Sequence, residues 1–214
     1  MTADAAVEDL LRDAILRGEY VPGQRLVEAD LCERFETTRF VIRTALQHLS
    51  AQGLVAMQRN RGARVRSVSL DEAIEITEVR RELEGLCAAR AAGAATRSDR
   101  AELRAITRDM RAASKAGAPL DYSDLNAKLH AAVRRIAAHE TAARLIEQLR
   151  GQMVRHQFQL ALIPGRPAVS LPQHEAIVSA IVDADADAAS RAMRAHIDSV
   201  IEALRSLPAA RVHR

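Results

Sequence analysis

The residues best suited to chemistry are histidines with an amide beside them. Asn126 and His130 lie four apart, so a helix through Asn126-Ala-Lys-Leu-His130 sets an amide oxygen and an imidazole on one face. Such a pair can bite one metal ion. His174 begins a later predicted helix and His196 lies in the last long one. Three imidazoles and an oxygen donor suit zinc, nickel or manganese, with positions left open for water or a ligand oxygen. Seven histidines in this chain also produce chance patterns, as His48, His139, His156 and His213 illustrate. Spacing alone therefore leaves open a reading in which these are ordinary surface or capping histidines. No HExxH pattern or well-placed acid supplies a general base, so a metal-dependent hydrolase or lyase is the weaker reading.

A second group is cationic. From Arg34 to Arg66 seven arginines face a single acid, Glu36, while the rest of the 214-residue chain is nearly balanced and the net charge is only +3. A local basic stripe on a nearly neutral protein is an electrostatic footprint for nucleic acid. Arg39, Arg43 and Gln47 share one side of a predicted helix, next to the buried stripe Ile42, Ala45, Leu46 and Leu49. A turn at Arg59-Asn60-Arg61-Gly62 separates short strands over residues 54–57 and 63–68. An arginine on a recognition helix forks onto guanine or clamps phosphate, and Gly62 at a wing tip lets backbone approach the sugar-phosphate rail, flanked by Arg61 and Arg64. The other reading, arginines lying over the short helices and pairing with Glu33 or Glu36, yields to the joint occurrence of helix and wing.

The elements that must position these groups are mostly helical. Aromatics are 2% and tryptophan is absent, so the core must be aliphatic and alanine-rich. Helices are predicted over 5–16, 28–35 and about 38–52, the last N-capped by Thr37 or Thr38 and ended by Gly53. After the hairpin, Ser69 to Glu72 opens an all-helical region with predicted helices at 71–93, 98–114, 121–138, 140–163, 171–183 and 186–206. The fold class is thus mostly α: a winged helix-turn-helix over 1–69, then an all-α helical bundle over 70–214. Cys32 and Cys87 are 55 positions apart with no CxxC pair, which argues against a disulfide framework or a cysteine zinc site. No apolar run of about 18 residues and no signal pattern is present, so a cytoplasmic protein is expected.

The segment from Leu11 to Val65 strongly resembles the DNA-binding domain of GntR-family bacterial transcription regulators. Gly18, Pro22, Gly23, Leu26, Glu28, Leu31, Arg39, Arg43, Ala45, Leu46, Gly53, Leu54, Val55, Gly62 and Val65 fall on the family's pattern. The resemblance implies that Arg39, Arg43 and the wing around Gly62 contact duplex operator DNA. Ala29 replaces a common arginine, Phe40-Val41 replaces Thr-Pro, and Thr44 replaces a common glutamate. Those departures imply an operator preference unlike the family's usual one.

Residues 71–205 resemble the all-helical FCD ligand-binding domain of the FadR subgroup, through EVRRELEGLCAARAA, DLNAKLHAAV and LPQHEAIVSAIVDADADAASRAMRAHI. That resemblance implies a metal held by Asn126, His130, His174 and His196, the last two being 22 positions apart. Zinc is the first expectation, with nickel or manganese as alternatives. Asn126 stands where aspartate is commoner, so the ligand set is neutral, the dication's charge is uncompensated, and a small organic acid is drawn to it. Arg80 is a candidate for the effector carboxylate, equally placed to pair with Glu84 at i,i+4; Arg150 and Arg155 are further candidates. The function implied is a homodimeric regulator, a repressor by family tendency, controlled by a carboxylate beside a metal. The alternative is a regulator for which the metal is itself the signal, or a metal pinning helices only.

Overall fold

The computed structural model describes residues 3–58 and 62–207 and contains ten helices and one small sheet among them. The chain divides into two compact units, one of residues 1–69 with 148–155 and one of residues 70–147 with 156–214.

The first unit runs α1 (Ala3–Leu16), β1 (Arg25–Leu26), α2 (Glu28–Arg34), α3 (Arg39–Ala51), β2 (Val55–Gln58) and β3 (Gly62–Val65). Thr38 is the N-cap of α3, its side chain accepting from the backbone N–H of Val41. Ile42, Ala45, Leu46 and Leu49 are buried as the periodicity requires, and the three larger of them pack with Leu11, Leu31 and Val65 into one aliphatic core. The sheet is antiparallel in the order β1-β3-β2, with Leu26 opposite Ala63 and Gln58 opposite Gly62. The two-residue β1 is absent from the sequence reading, being too short to show alternation. Gly62 opens β3 at φ +81, a left-handed conformation suited to glycine. The expected site residue Arg61, with Arg59 and Asn60, lies outside the described residues.

The second unit comprises α4 (Leu70–Ala94), α5 (Arg97–Ala116), α6 (Pro119–Ala137), α7 (Glu140–Gln152), α8 (Val154–Ala161), α9 (Arg166–Val182) and α10 (Ala186–Arg205). The last turns of α7 and the first residues of α8 cluster with the first unit. Helices α4 and α10 pack along each other, α9 lies against α10, and α6 joins α4 to α5. Alanines on α4 (Ala88, Ala91, Ala92) allow this close approach, and Leu103, Met110, Leu129, Ile146, Ile177 and Met193 fill the space between. Helix α5 begins with a reciprocal cap between Thr96 and Asp99 and ends at Gly117, φ +65.

Beyond shifts of one to three residues at element ends, two helices differ from the sequence expectation. The single helix expected over 140–163 is two, divided at Met153, which is buried and donates its N–H to Arg150 O at 2.9 Å. Helix α9 begins at Arg166, five residues earlier than expected, because Pro167 sits in the first turn, where its missing N–H costs nothing.

Candidate functional site

Four helices of the second unit meet at His130 on α6, His174 on α9 and His196 on α10, with Glu84 of α4 behind them. The three histidines are 3%, 1% and 3% exposed, and each offers a ring nitrogen within 4.8 Å of the other two. Their rings crowd together at steep angles, His174 and His196 having centroids 4.3 Å apart and planes 51° from parallel.

Each ring is oriented through Nδ1. His130 Nδ1 lies 2.5 Å from Glu84 Oε2, His174 Nδ1 3.0 Å from the Tyr122 hydroxyl, and His196 Nδ1 3.0 Å from Gln173 Oε1. Tyr122 is 2.9 Å from Ser170 Oγ, and Ser170 in turn donates to Arg166 O at 3.1 Å. One proton assignment satisfies all of these: every Nδ1 donates, Tyr122 donates to Ser170, and the Nε2 lone pairs remain. Burial pushes the Tyr122 hydroxyl up to about 12, so it stays a donor.

The electrostatics favour neutral imidazoles. Burial holds His174 and His196 well below 6.5; neighbouring histidines and the Arg166 charge push the same way, against Glu84. Nε2 of His174 is buried without a hydrogen-bond partner, and so is Oδ1 of Asn126. An orphaned acceptor nitrogen among converging imidazoles is costly unless something electropositive meets it, and the Asn126 amide oxygen, four residues before His130 on α6, is a second buried acceptor without a partner. A divalent transition metal fits this set: neutral nitrogen donors, an amide oxygen, and outer partners fixing each tautomer.

Arg80, expected as a wall of the effector pocket, donates to Glu84 Oε1 through Nε at 3.1 Å and Nη2 at 2.5 Å. The intrahelical pairing is therefore the arrangement observed. Glu84 joins the two groups, one oxygen on Arg80 and the other on His130. Arg150 and Arg155 lie in the 148–155 segment that clusters with the first unit, not with the histidines. The sequence reading missed Arg166. It donates to Ser199 Oγ at 2.8 Å, meets no carboxylate among the described residues, and is lowered by burial. Its segment, Pro164 to Pro167, reads as a break between helices; proline in a first helical turn was the available signal.

In the first unit Arg39, Arg43, Gln47 and Arg64 are exposed. Arg43 Nε lies 2.9 Å from both carboxylate oxygens of Glu28, which raises the guanidinium pKa further. Arg64 reaches Gly23 O at 2.9 Å and Gln58 Oε1 at 3.3 Å, which holds it along the strand leading from the wing. Cationic and amide groups thus line the solvent side of α3 and β3, opposite the buried stripe.

A winged helix-turn-helix joined to a helical domain with a buried histidine cluster defines a DNA-binding transcriptional regulator with a sensing domain. The chain belongs to the GntR family of bacterial regulatory proteins, whose model matches residues 3–65, and carries an FCD domain over residues 75–199. It is 28% identical over 198 residues to the HTH-type transcriptional repressor RspR of Escherichia coli, covering 92% of this chain and 87% of that one. The galactonate operon transcriptional repressor of E. coli is 29% identical, covering 90% and 93%. Among solved structures, E. coli McbR/YncC shares the fold at a TM-score of 0.78 and 21% identity, covering 96% of this chain and 98% of its own. The family is one of regulators, not enzymes, so the hydrolase reading falls away. No described helix is long and apolar enough to cross a membrane.

Proposed function

We propose that this regulator represses transcription as a homodimer and is controlled by a small organic acid bound beside a divalent metal. Two-fold symmetry would give each winged domain one half-site, read by Arg39, Arg43 and Gln47 from α3, with Gly62, Arg61 and Arg64 on the backbone. His130, His174 and His196 with Asn126 would hold the metal, zinc before nickel or manganese. The bound ion would supply a Lewis-acidic anchor for a carboxylate oxygen.

The observation that carries this reading is the orphaned Nε2 of His174 in a site whose fixed charges do not cancel. Glu84 is matched by Arg80, and Arg166 stands without a carboxylate partner among the described residues. A dication held by neutral ligands near an uncompensated guanidinium attracts an anion. Arg166 is accordingly assigned to the effector carboxylate, and Arg80 to holding Glu84 against His130. One relative is the repressor of the galactonate operon, named for a small carboxylate. Effector and operator binding would be coupled reciprocally, each changing the other's affinity by one factor.

The test is metal content together with thermal-shift assays over a panel of small mono-, di- and hydroxycarboxylates. About one transition metal per chain is expected, with an acid that raises the Tm of the wild type and loosens its hold on operator DNA. His174→Ala should lose both metal and acid response; Arg166→Met should keep the metal and lose the acid response. No metal after reconstitution, or equal acid shifts in wild type and His174→Ala, would overturn the site.

A further inference from the structure

The solvent side of α3 carries one residue that its electrostatic role does not explain. Phe40 is 74% exposed, more than any other large hydrophobic side chain among the described residues. Single exposed apolar residues are common, and exposure alone means little. Its position is what matters. Phe40, Arg43, Thr44 and Gln47 follow one another at i, i+3, i+4 and i+7, so the ring stands on the same face as the groove-reading residues. It lies in the first turn of the helix, the part that reaches base edges when a recognition helix enters the major groove. The backbone there is fixed: Thr38 caps Val41 N–H, and Thr44 Oγ1 donates to Phe40 O at 3.1 Å.

A phenyl ring at this point can neither donate to a phosphate nor bond a purine edge. The major groove offers one apolar group, the 5-methyl of thymine. We propose that Phe40 is a specificity-determining residue whose ring packs on a thymine methyl at one position of each half-site. This rests on α3 being the recognition helix. The family pattern has threonine here, so the residue gives this chain a base preference of its own, alongside the loss of arginine at Ala29.

The experiment selects operators from a random duplex library with the full-length protein, then repeats the selection with Phe40→Thr. Wild type should enrich a thymine at one fixed position per half-site, and Phe40→Thr should not. On the selected duplex, replacing that thymine by uracil removes only the methyl. It should weaken wild-type binding about fourfold per half-site, the worth of one buried methyl, and leave Phe40→Ala unchanged. Melting temperatures equal to wild type exclude a folding defect in the variants. If uracil weakens wild type and Phe40→Ala equally, or neither, Phe40 does not read the methyl. Retention of full affinity by Arg39→Ala and Arg43→Ala would instead overturn the placement of α3 in the groove, and is read separately.

Discussion

Glu84 Oε2 sits 2.5 Å from His130 Nδ1, with both side chains nearly excluded from solvent at 2% and 3% exposure. A carboxylate in that position fixes the imidazole tautomer and raises its basicity toward a metal. The other oxygen of Glu84 is committed to Arg80, so helix α4 contributes a two-sided link and no ligand.

Separating those two roles gives the first prediction. Glu84→Gln should weaken metal binding by about 10–100-fold and destabilise the fold by about 3–5 kcal/mol, since Arg80 is left buried without its anion. Arg80→Met combined with Glu84→Gln removes the stranded charge. The pair should recover most of the stability and none of the metal affinity. Metal-competition titration and urea denaturation measure the two effects independently. Recovery of both together would show that Glu84 serves stability only.

Acid sensitivity follows from the buried imidazoles. Burial lowers the pKa of His174 and His196 below 6.5, so the folded state binds fewer protons than the unfolded chain once the pH falls under that value. The derivative of unfolding free energy with pH is then positive. Stability of the metal-free protein should be fully present above pH 6.5 and decline below it. On the proposed metal site the same shift keeps protons off the imidazole nitrogens, so protein loaded with the ion should retain it below pH 6.5. Denaturation of chelator-treated protein at a series of pH values checks the first statement, and metal retention over the same series checks the second. A flat metal-free profile would contradict buried neutral histidines.

Much of this was legible in the chain, for reasons that differ by element. Helix α3 was readable because its core stripe repeats at helical period and Thr38 marks its start. His130, His174 and His196 were nameable through resemblance, and the structure brings those three together. The residues that orient them were hidden: Glu84, Tyr122 and Gln173 meet their histidines across separations of 46, 52 and 23 positions. No local pattern encodes such pairings, which exist only once α4, α6, α9 and α10 have packed. Arg80 shows the reverse, a local i,i+4 partner that the sequence offered and the packing made buried. The division at Met153 has no proline to announce it, so periodicity ran through it.

The two thiols should behave differently. Cys87 is 1% exposed, and burial raises its pKa, with Glu84 adding to the shift. Thiolate is the reactive form, so Cys87 should resist alkylation in the folded protein. Cys32 is partly exposed on α2. Titration with a chromogenic disulfide at pH 8 should release one equivalent quickly, and the second only on unfolding. Mass spectrometry of the first adduct should place it on Cys32. Rapid modification of both would mean that the α4 face bearing Cys87 opens in the native state.

The end of the recognition helix offers the last test. Gly53 has φ +74, and a Cβ there would stand 2.6 Å from Gln152 Nε2. Gln152 is held on both sides of its amide, donating to Gln52 O at 3.1 Å and accepting from Arg66 Nη1 at 2.9 Å. Residues 148–155 are thereby pinned to the turn that follows α3. Gly53→Ala should cost about 1–2 kcal/mol for the left-handed backbone. Displacing Gln152 should add about 1 kcal/mol for each hydrogen bond lost. Gln152→Ala alone loses the same two bonds, yet in the Gly53→Ala background there is no clash left to relieve and no bond left to break. The double variant should therefore be less destabilised than the sum of the single ones by about 1–2 kcal/mol. Urea denaturation of the four proteins measures this, and additivity would mean that Gln152 does not hold the turn.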